Sequence, residues 1–250
     1  MKYIFVANWK MNSSLTHAID YCTNHTSELQ DLSDTNDIVI CPSFIAIQSV
    51  QKALHNTSIA IGAQTCSPYT MGPYTGQVSA MELKEAGCTY CIVGHSEQRE
   101  YCHQTNEDIA LQVDQLLANN ITPIICIGES SIDYFNHATY EVLSDQLMPI
   151  ISVLQQIQST LQIYVAYEPT WAIGQTKIPE PSYLEKIFAW LKQDLQTHLP
   201  ENTCIFLYGG SVNEHSIKIL TQIRSIQGFL IGSASTDFNH FKKIIDAARQ

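Results

Sequence analysis

The chain has 250 residues, 45% hydrophobic and 15% charged, with 13 Lys and Arg against 24 Asp and Glu for a net charge of −11. That apolar content excludes a disordered or low-complexity chain, and the length suits one or two domains, α/β barrels of roughly 200–250 residues being single units. The acidic balance gives no general attraction to nucleic acid or anionic lipid, and no stretch approaches the ~18 apolar residues of a membrane span, so neither is an expected partner.

The first apolar run, residues 3–8, is short and closes on Asn8, Trp9 and Lys10, which reads as a strand and not as a secretion signal. Eight cysteines in a chain too large to need disulfide staples then predict reduced thiols and a cytoplasmic protein. Further strands are predicted over 38–41, 59–63 and 91–93, with Gly87 ending a helix before the last of them. Cys88 and Cys91 have metal or redox spacing, but a zinc site needs a second pair, and Cys102 and His103 are the only near candidates. No metal is expected.

A helix follows over 106–119, where Ile109, Val113, Leu116 and Leu117 share a face and Asn119-Asn120 supplies a stop. Strands over 121–127 and 163–167 come next. A second amphipathic helix spans 183–199, with Leu184, Ile187, Phe188, Leu191 and Leu195 at helical spacing. The last strands lie over 204–208 and 228–231. The strands are continuous apolar runs, as expected where both faces are buried. Eight β units with helical segments between them and no linker predict one domain over 1–250, a single closed (β/α)8 barrel. An open doubly wound sheet would carry a glycine-rich turn after its first strand, where this chain has Asn8-Trp9-Lys10.

In such a barrel, chemistry sits at the C-terminal ends of the strands. Those ends read Asn8-x-Lys10, Gly94-His95-Ser96-Glu97, Tyr167-Glu168-Pro169, Tyr208-Gly209-Gly210-Ser211-Val212 and Ile231-Gly232-Ser233-Ala234. One lysine, one histidine, one glutamate and two glycine-containing turns thus converge on one rim. Together with Thr170-Trp171-Ala172-Ile173-Gly174 after the sixth strand, these segments resemble the signature segments of the triosephosphate isomerase family, in the same order over essentially the whole chain.

The resemblance implies interconversion of dihydroxyacetone phosphate and D-glyceraldehyde 3-phosphate, in glycolysis and gluconeogenesis, with no cofactor. It implies Glu168 as the base that moves a proton between adjacent carbons and His95 as a neutral electrophile; the family is itself the standard example of that pairing. Ser96 is expected to cap a short helix whose N-terminus disfavours the imidazolium form. Lys10 is then the cation that meets the substrate dianion, with Asn8 beside it. Backbone N–H groups of Gly174, Ser211, Gly232 and Ser233 form the phosphate clamp. Asn12 and Glu97 are expected to support the carbonyl and Lys10, Cys126 to pack near the base, and residues 169–177 to form a lid that excludes water. The family is a homodimer built through the 67–79 loop, with Thr75 approaching the partner's site.

Four positions depart from the family pattern. Ser233 stands where a glycine is usual, which predicts a slightly altered phosphate site. Pro179 stands at the lid position whose N–H donates a hydrogen bond to the hydroxyl of the tyrosine matching Tyr208; proline has no N–H. Gln77 and Gln98 replace a Glu and an Arg that pair across the subunit interface, and exchanging both ends avoids stranding one charge. Gln104 replaces a Glu, with no functional reading attached.

Overall fold

The computed structural model describes residues 2–157, 162–174 and 178–249. Its strands are β1 (Ile4–Asn8), β2 (Asp37–Cys41), β3 (Ala60–Ala63), β4 (Tyr90–Val93), β5 (Thr122–Ile127), β6 (Ile163–Tyr167), β7 (Cys204–Tyr208) and β8 (Gly228–Ile231). Each pairs in parallel with its sequence neighbour, and β1 also pairs with β8, closing the barrel. The helices are α1 (Leu15–Asn24), α2 (Thr26–Ser33), α3 (Ile47–Ala53), α4 (Ala80–Glu85), α5 (Ser96–Tyr101), α6 (Asn106–Ala118), α7 (Ser131–Phe135), α8 (Thr139–Gln156), α9 (Pro181–His198), α10 (Ser216–Leu220) and α11 (Phe238–Ala247).

All eight expected strands form, with ends shifted by a residue where pairing and hydropathy disagree. Asp37 is polar yet opens β2, because its N–H reaches the Tyr3 carbonyl at 2.9 Å. Ile59 and Ile121 are apolar and buried, yet precede their strands. Several helices start on reciprocal caps, Ser79 with Glu82, Thr105 with Asp108 and Ser130 with Asp133, which satisfy otherwise orphaned N–H groups.

Because side chains alternate along a strand, the barrel has two concentric cores. Phe5, Ala7, Ile38, Ile40, Val165 and Tyr167 point outward and pack with helix residues such as Leu116, Leu147 and Phe188. Ile4, Val6, Val39, Cys41, Ile92, Ile124, Cys126, Tyr164, Ala166, Leu207 and Leu230 fill the interior. That inward phase positions the site. Two residues beyond Val6 is Asn8, beyond Ala166 is Glu168, beyond Leu207 is Gly209 and beyond Leu230 is Gly232.

Candidate active site

A cavity of about 210 Å³ opens at that rim, lined by Asn8, Lys10, His95, Glu168, Gly174, Ser211, Gly232 and Ser233 among others. The barrel therefore gathers the base, electrophile, cation and clamp residues expected from the sequence. Asn12 is not among them: it is exposed, and its N–H closes a turn on the Trp9 carbonyl at 3.2 Å. The amide that faces the cavity from this segment is Asn8, because the strand's inward phase ends there.

Lys10 has φ 51°, in the left-handed region that few non-glycine residues adopt. Three neighbours hold it. Asn8 Oδ1 accepts the Lys10 N–H at 3.1 Å, Gln64 Nε2 donates to the Lys10 carbonyl at 2.9 Å, and the ammonium lies 2.6 Å from Glu97 Oε1. Gln64 also donates to the Cys41 carbonyl at 3.0 Å, tying this turn to the end of β2. The expected Glu97–Lys10 contact is thus present.

His95, and not Ser96, is the N-cap of α5. Its Nδ1 accepts the Glu97 N–H at 3.2 Å, so in this geometry Nε2 is the ring nitrogen left to donate. Ser96 takes the first helical position, and its N–H is thereby free to donate to Glu168 Oε2 at 3.2 Å. His95 Nε2 stands 3.3 Å from the other carboxylate oxygen. Both residues are buried, at 6% and 2% exposure.

The backbone around Glu168 tolerates no added side chain. A Cβ on Gly209 would lie 2.7 Å from Glu168 Cγ, and one on Gly128 would lie 1.9 Å from the Glu168 carbonyl oxygen. Close to Glu168, Arg99 donates to the Gly94 carbonyl at 2.8 Å, to Asn106 Oδ1 at 2.6 Å and to the Cys126 carbonyl at 3.3 Å. Burial lowers the Arg99 pKa, opposed by the neighbouring Cys126 and Glu168. Burial, then the Glu168 charge, pushes the Cys126 thiol well above the usual range, so Cys126 packs near Glu168 as a neutral group.

Residues 175–177 of the expected lid lie outside the described residues. The described part of that segment rests on Glu129, which is fully buried. Glu129 Oε1 accepts from Tyr167 OH at 3.0 Å, Trp171 Nε1 at 2.8 Å and Tyr183 OH at 3.0 Å, while its backbone carbonyl accepts from Thr170. Ser211 Oγ donates to the Ala172 carbonyl at 3.0 Å. Tyr208 lies on the outer face of β7, its hydroxyl buried and unpartnered among the described residues.

In the 67–79 loop, Thr75 and Gly76 are exposed, and Tyr69 stacks on Tyr74 with ring centres 4.0 Å apart. Gln77 Oε1 accepts from Ser67 Oγ within the same chain. Gln77, Gln98 and Gln104 line one cavity of about 430 Å³ beside Phe44 and Cys102. Cys88 and Cys91 are buried at β4, whereas Cys102 is exposed beyond α5. Among the described residues, no group of three or more His, Cys, Asp or Glu could hold a metal ion, and no helix is long and apolar enough to cross a membrane.

The residues at this rim missed in the sequence are Gln64, Arg99 and Glu129. For Glu129 a signal existed: Gly128-Glu129 directly follows β5, at the rim where the other site residues were sought. The others act through contacts remote in sequence from their targets or from a helix interior.

A sequence model of triosephosphate isomerase matches residues 3–248. The chain is 37% identical over 245 residues to a triosephosphate isomerase of Wolbachia pipientis wMel, covering 98% of this chain and 93% of that protein. It is 36% identical over 244 residues to the Coxiella burnetii enzyme, covering 96% and 95% of the two chains. The Endomicrobium trichonymphae enzyme is 31% identical over 246 residues, covering 98% of each.

Proposed function

The chain belongs to the triosephosphate isomerase family, and from that premise we propose that Glu168, His95 and Lys10 carry out the interconversion of dihydroxyacetone phosphate and D-glyceraldehyde 3-phosphate. Glu168 takes a proton from the carbon beside the carbonyl, leaving an enediolate, and returns it to the neighbouring carbon. His95 Nε2–H donates to the oxygen on which charge develops. A neutral donor serves both oxygens in turn and leaves no stranded charge. Lys10 stabilises the same charge and the phosphate. Backbone N–H groups of Gly174, Ser211, Gly232 and Ser233 hold the phosphate, where an acidic chain otherwise repels a dianion. The lid excludes water from the enediolate.

One observation carries this reading: His95 accepts the Glu97 N–H on Nδ1 and thereby presents Nε2–H to the space that Glu168 borders. The reading extends to a homodimer. Met11, Ile45, Met71 and Tyr101 are large apolar side chains left exposed, and covering such surface favours association. It also extends to the whole of residues 1–250 as one isomerase domain, working in the cytoplasm and in gluconeogenesis as well as glycolysis.

The test is a coupled assay on glyceraldehyde 3-phosphate, product being detected by a dehydrogenase, with Glu168→Asp alongside. The shorter side chain is expected to lower kcat by ~100-fold or more, near 3 kcal/mol. Parental kcat in Glu168→Asp would remove Glu168 from the role of base.

A further inference from the structure

Gln146 projects from the middle of α8, is 9% exposed, and spends both ends of its amide on one residue. Its Oε1 accepts the Gly128 N–H at 2.9 Å and its Nε2 donates to the Gly128 carbonyl at 2.9 Å. Gly128 is the first residue beyond β5, so the strand ladder no longer holds it. The Gln146 side chain takes over as a one-residue strand partner.

What Gly128 touches gives this clamp its consequence. The Glu168 N–H donates to the Ile127 carbonyl at 2.7 Å, and the Gly128 Cα is so near the Glu168 backbone that a Cβ there would lie 1.9 Å from the carbonyl oxygen and 3.3 Å from Cα. The Gly128 peptide is therefore the wall against which the backbone of Glu168 rests. Gln146, Gly128, Arg99 and Glu168 line one cavity of about 370 Å³ behind the carboxylate. If Gly128 moved into that space, the Glu168 backbone would lose its rear support. The next residue, Glu129, anchors the lid base.

We propose that Gln146 is a positioning residue for the catalytic base: by clamping Gly128 it fixes the place of the Glu168 main chain, and so the reach of its carboxylate toward the substrate carbon. This rests on the reading of Glu168 as the base. The clamp lies on the β5–β6 side of the barrel, whereas three of the four proposed phosphate donors, Ser211, Gly232 and Ser233, follow β7 and β8. A displaced base costs rate and leaves phosphate binding alone, and a small misplacement can cost up to ~100-fold.

The test compares Gln146→Met, which keeps length and removes both hydrogen bonds, in the parent and in Glu168→Asp. In the parent, kcat is expected to fall roughly 10- to 100-fold, with KM and the competitive inhibition constant of inorganic phosphate within about twofold. In Glu168→Asp, where the carboxylate is already withdrawn, the same change is expected to cost under about threefold, because coupled residues are not additive. Equal fold-losses in the two backgrounds, or a loss confined to KM and phosphate inhibition, would overturn the proposal. If Gln146→Met does not accumulate folded, Gln146→Asn replaces it. That amide keeps its donor and acceptor but falls a methylene short, and the same kcat-selective, non-additive loss is expected. Parental kcat in Glu168→Asp alone would instead sink the assignment of the base, a result independent of Gln146.

Discussion

The Nε2 of His95 lies 3.3 Å from Oε1 of Glu168, on a ring whose Nδ1 is occupied by the Glu97 N–H of the same helix turn. One side chain thus does two jobs, capping α5 and presenting a proton donor. The jobs separate in His95→Gln. Losing the transition-state donor is expected to lower kcat ~100-fold or more. Weakening the cap costs about 0.5–2 kcal/mol, a Tm lower by a few degrees for a chain of this size. Rate assay and thermal melt check the two effects, and an unchanged Tm would contradict the capping role.

The Tyr208 hydroxyl is buried and has no partner among the described residues, and burial raises its pKa. Pro179 has no N–H with which to donate to the Tyr208 hydroxyl the hydrogen bond that the family resemblance implies at lid closure. Tyr208→Phe is therefore expected to leave stability unchanged or raised, since it removes an unsatisfied buried group, and to lower kcat by less than about tenfold. A ~100-fold loss would show that the hydroxyl finds a partner during the reaction.

Ser233 follows Gly232 at the cavity wall, and its carbonyl accepts from the Thr236 N–H at 3.1 Å. Serine keeps the amide donor but adds a side chain beside the expected phosphate. Ser233→Gly is expected to lower KM modestly, by about two- to threefold, at constant kcat. Identical kinetics would assign Ser233 no part in phosphate affinity.

Gln77 and Gln98 line a common cavity, and Gln77 bonds to Ser67 of its own chain. A neutral pair at the proposed interface predicts dimer affinity that varies little between low and physiological salt. Gln98→Arg alone brings an unpaired charge to that face and is expected to weaken the dimer. Sedimentation at two salt concentrations measures both, and an arginine variant that dimerises as tightly as the parent would refute the argument.

Seven cysteines are buried or half-buried, and Cys102 alone is exposed. Burial pushes Cys22 and Cys88 up to about 12, and Cys41, Cys91 and Cys126 well above the ordinary thiol value. Thiolate is the reactive form, so at pH 8 an aromatic disulfide reagent is expected to label Cys102 first. The six buried thiols should react only on unfolding, with half-buried Cys204 reacting between the two. Peptide mapping after brief labelling checks the order, and rapid labelling of Cys126 would mean that the barrel interior opens.

The sequence by itself determined the architecture and the chemical groups. Eight short apolar runs with helical segments between them leave little besides a closed barrel. Once the strand ends are known to converge, Lys10, His95 and Glu168 stand out as candidates from their places in the chain, and the family resemblance implies their roles. What a strand end does not fix is how its neighbours hold it. Hydropathy marks Gln146 as an odd polar residue in an apolar helix face, and says nothing of Gly128, 18 residues away. Nor does it say that Gln64 carries the carbonyl of Lys10, 54 residues away, or that His95 and not Ser96 accepts at the start of α5. Tertiary structure decided these, because a hydrogen bond depends on distances and directions set by the packing of two elements, whereas periodicity along one element reports only which of its faces is buried.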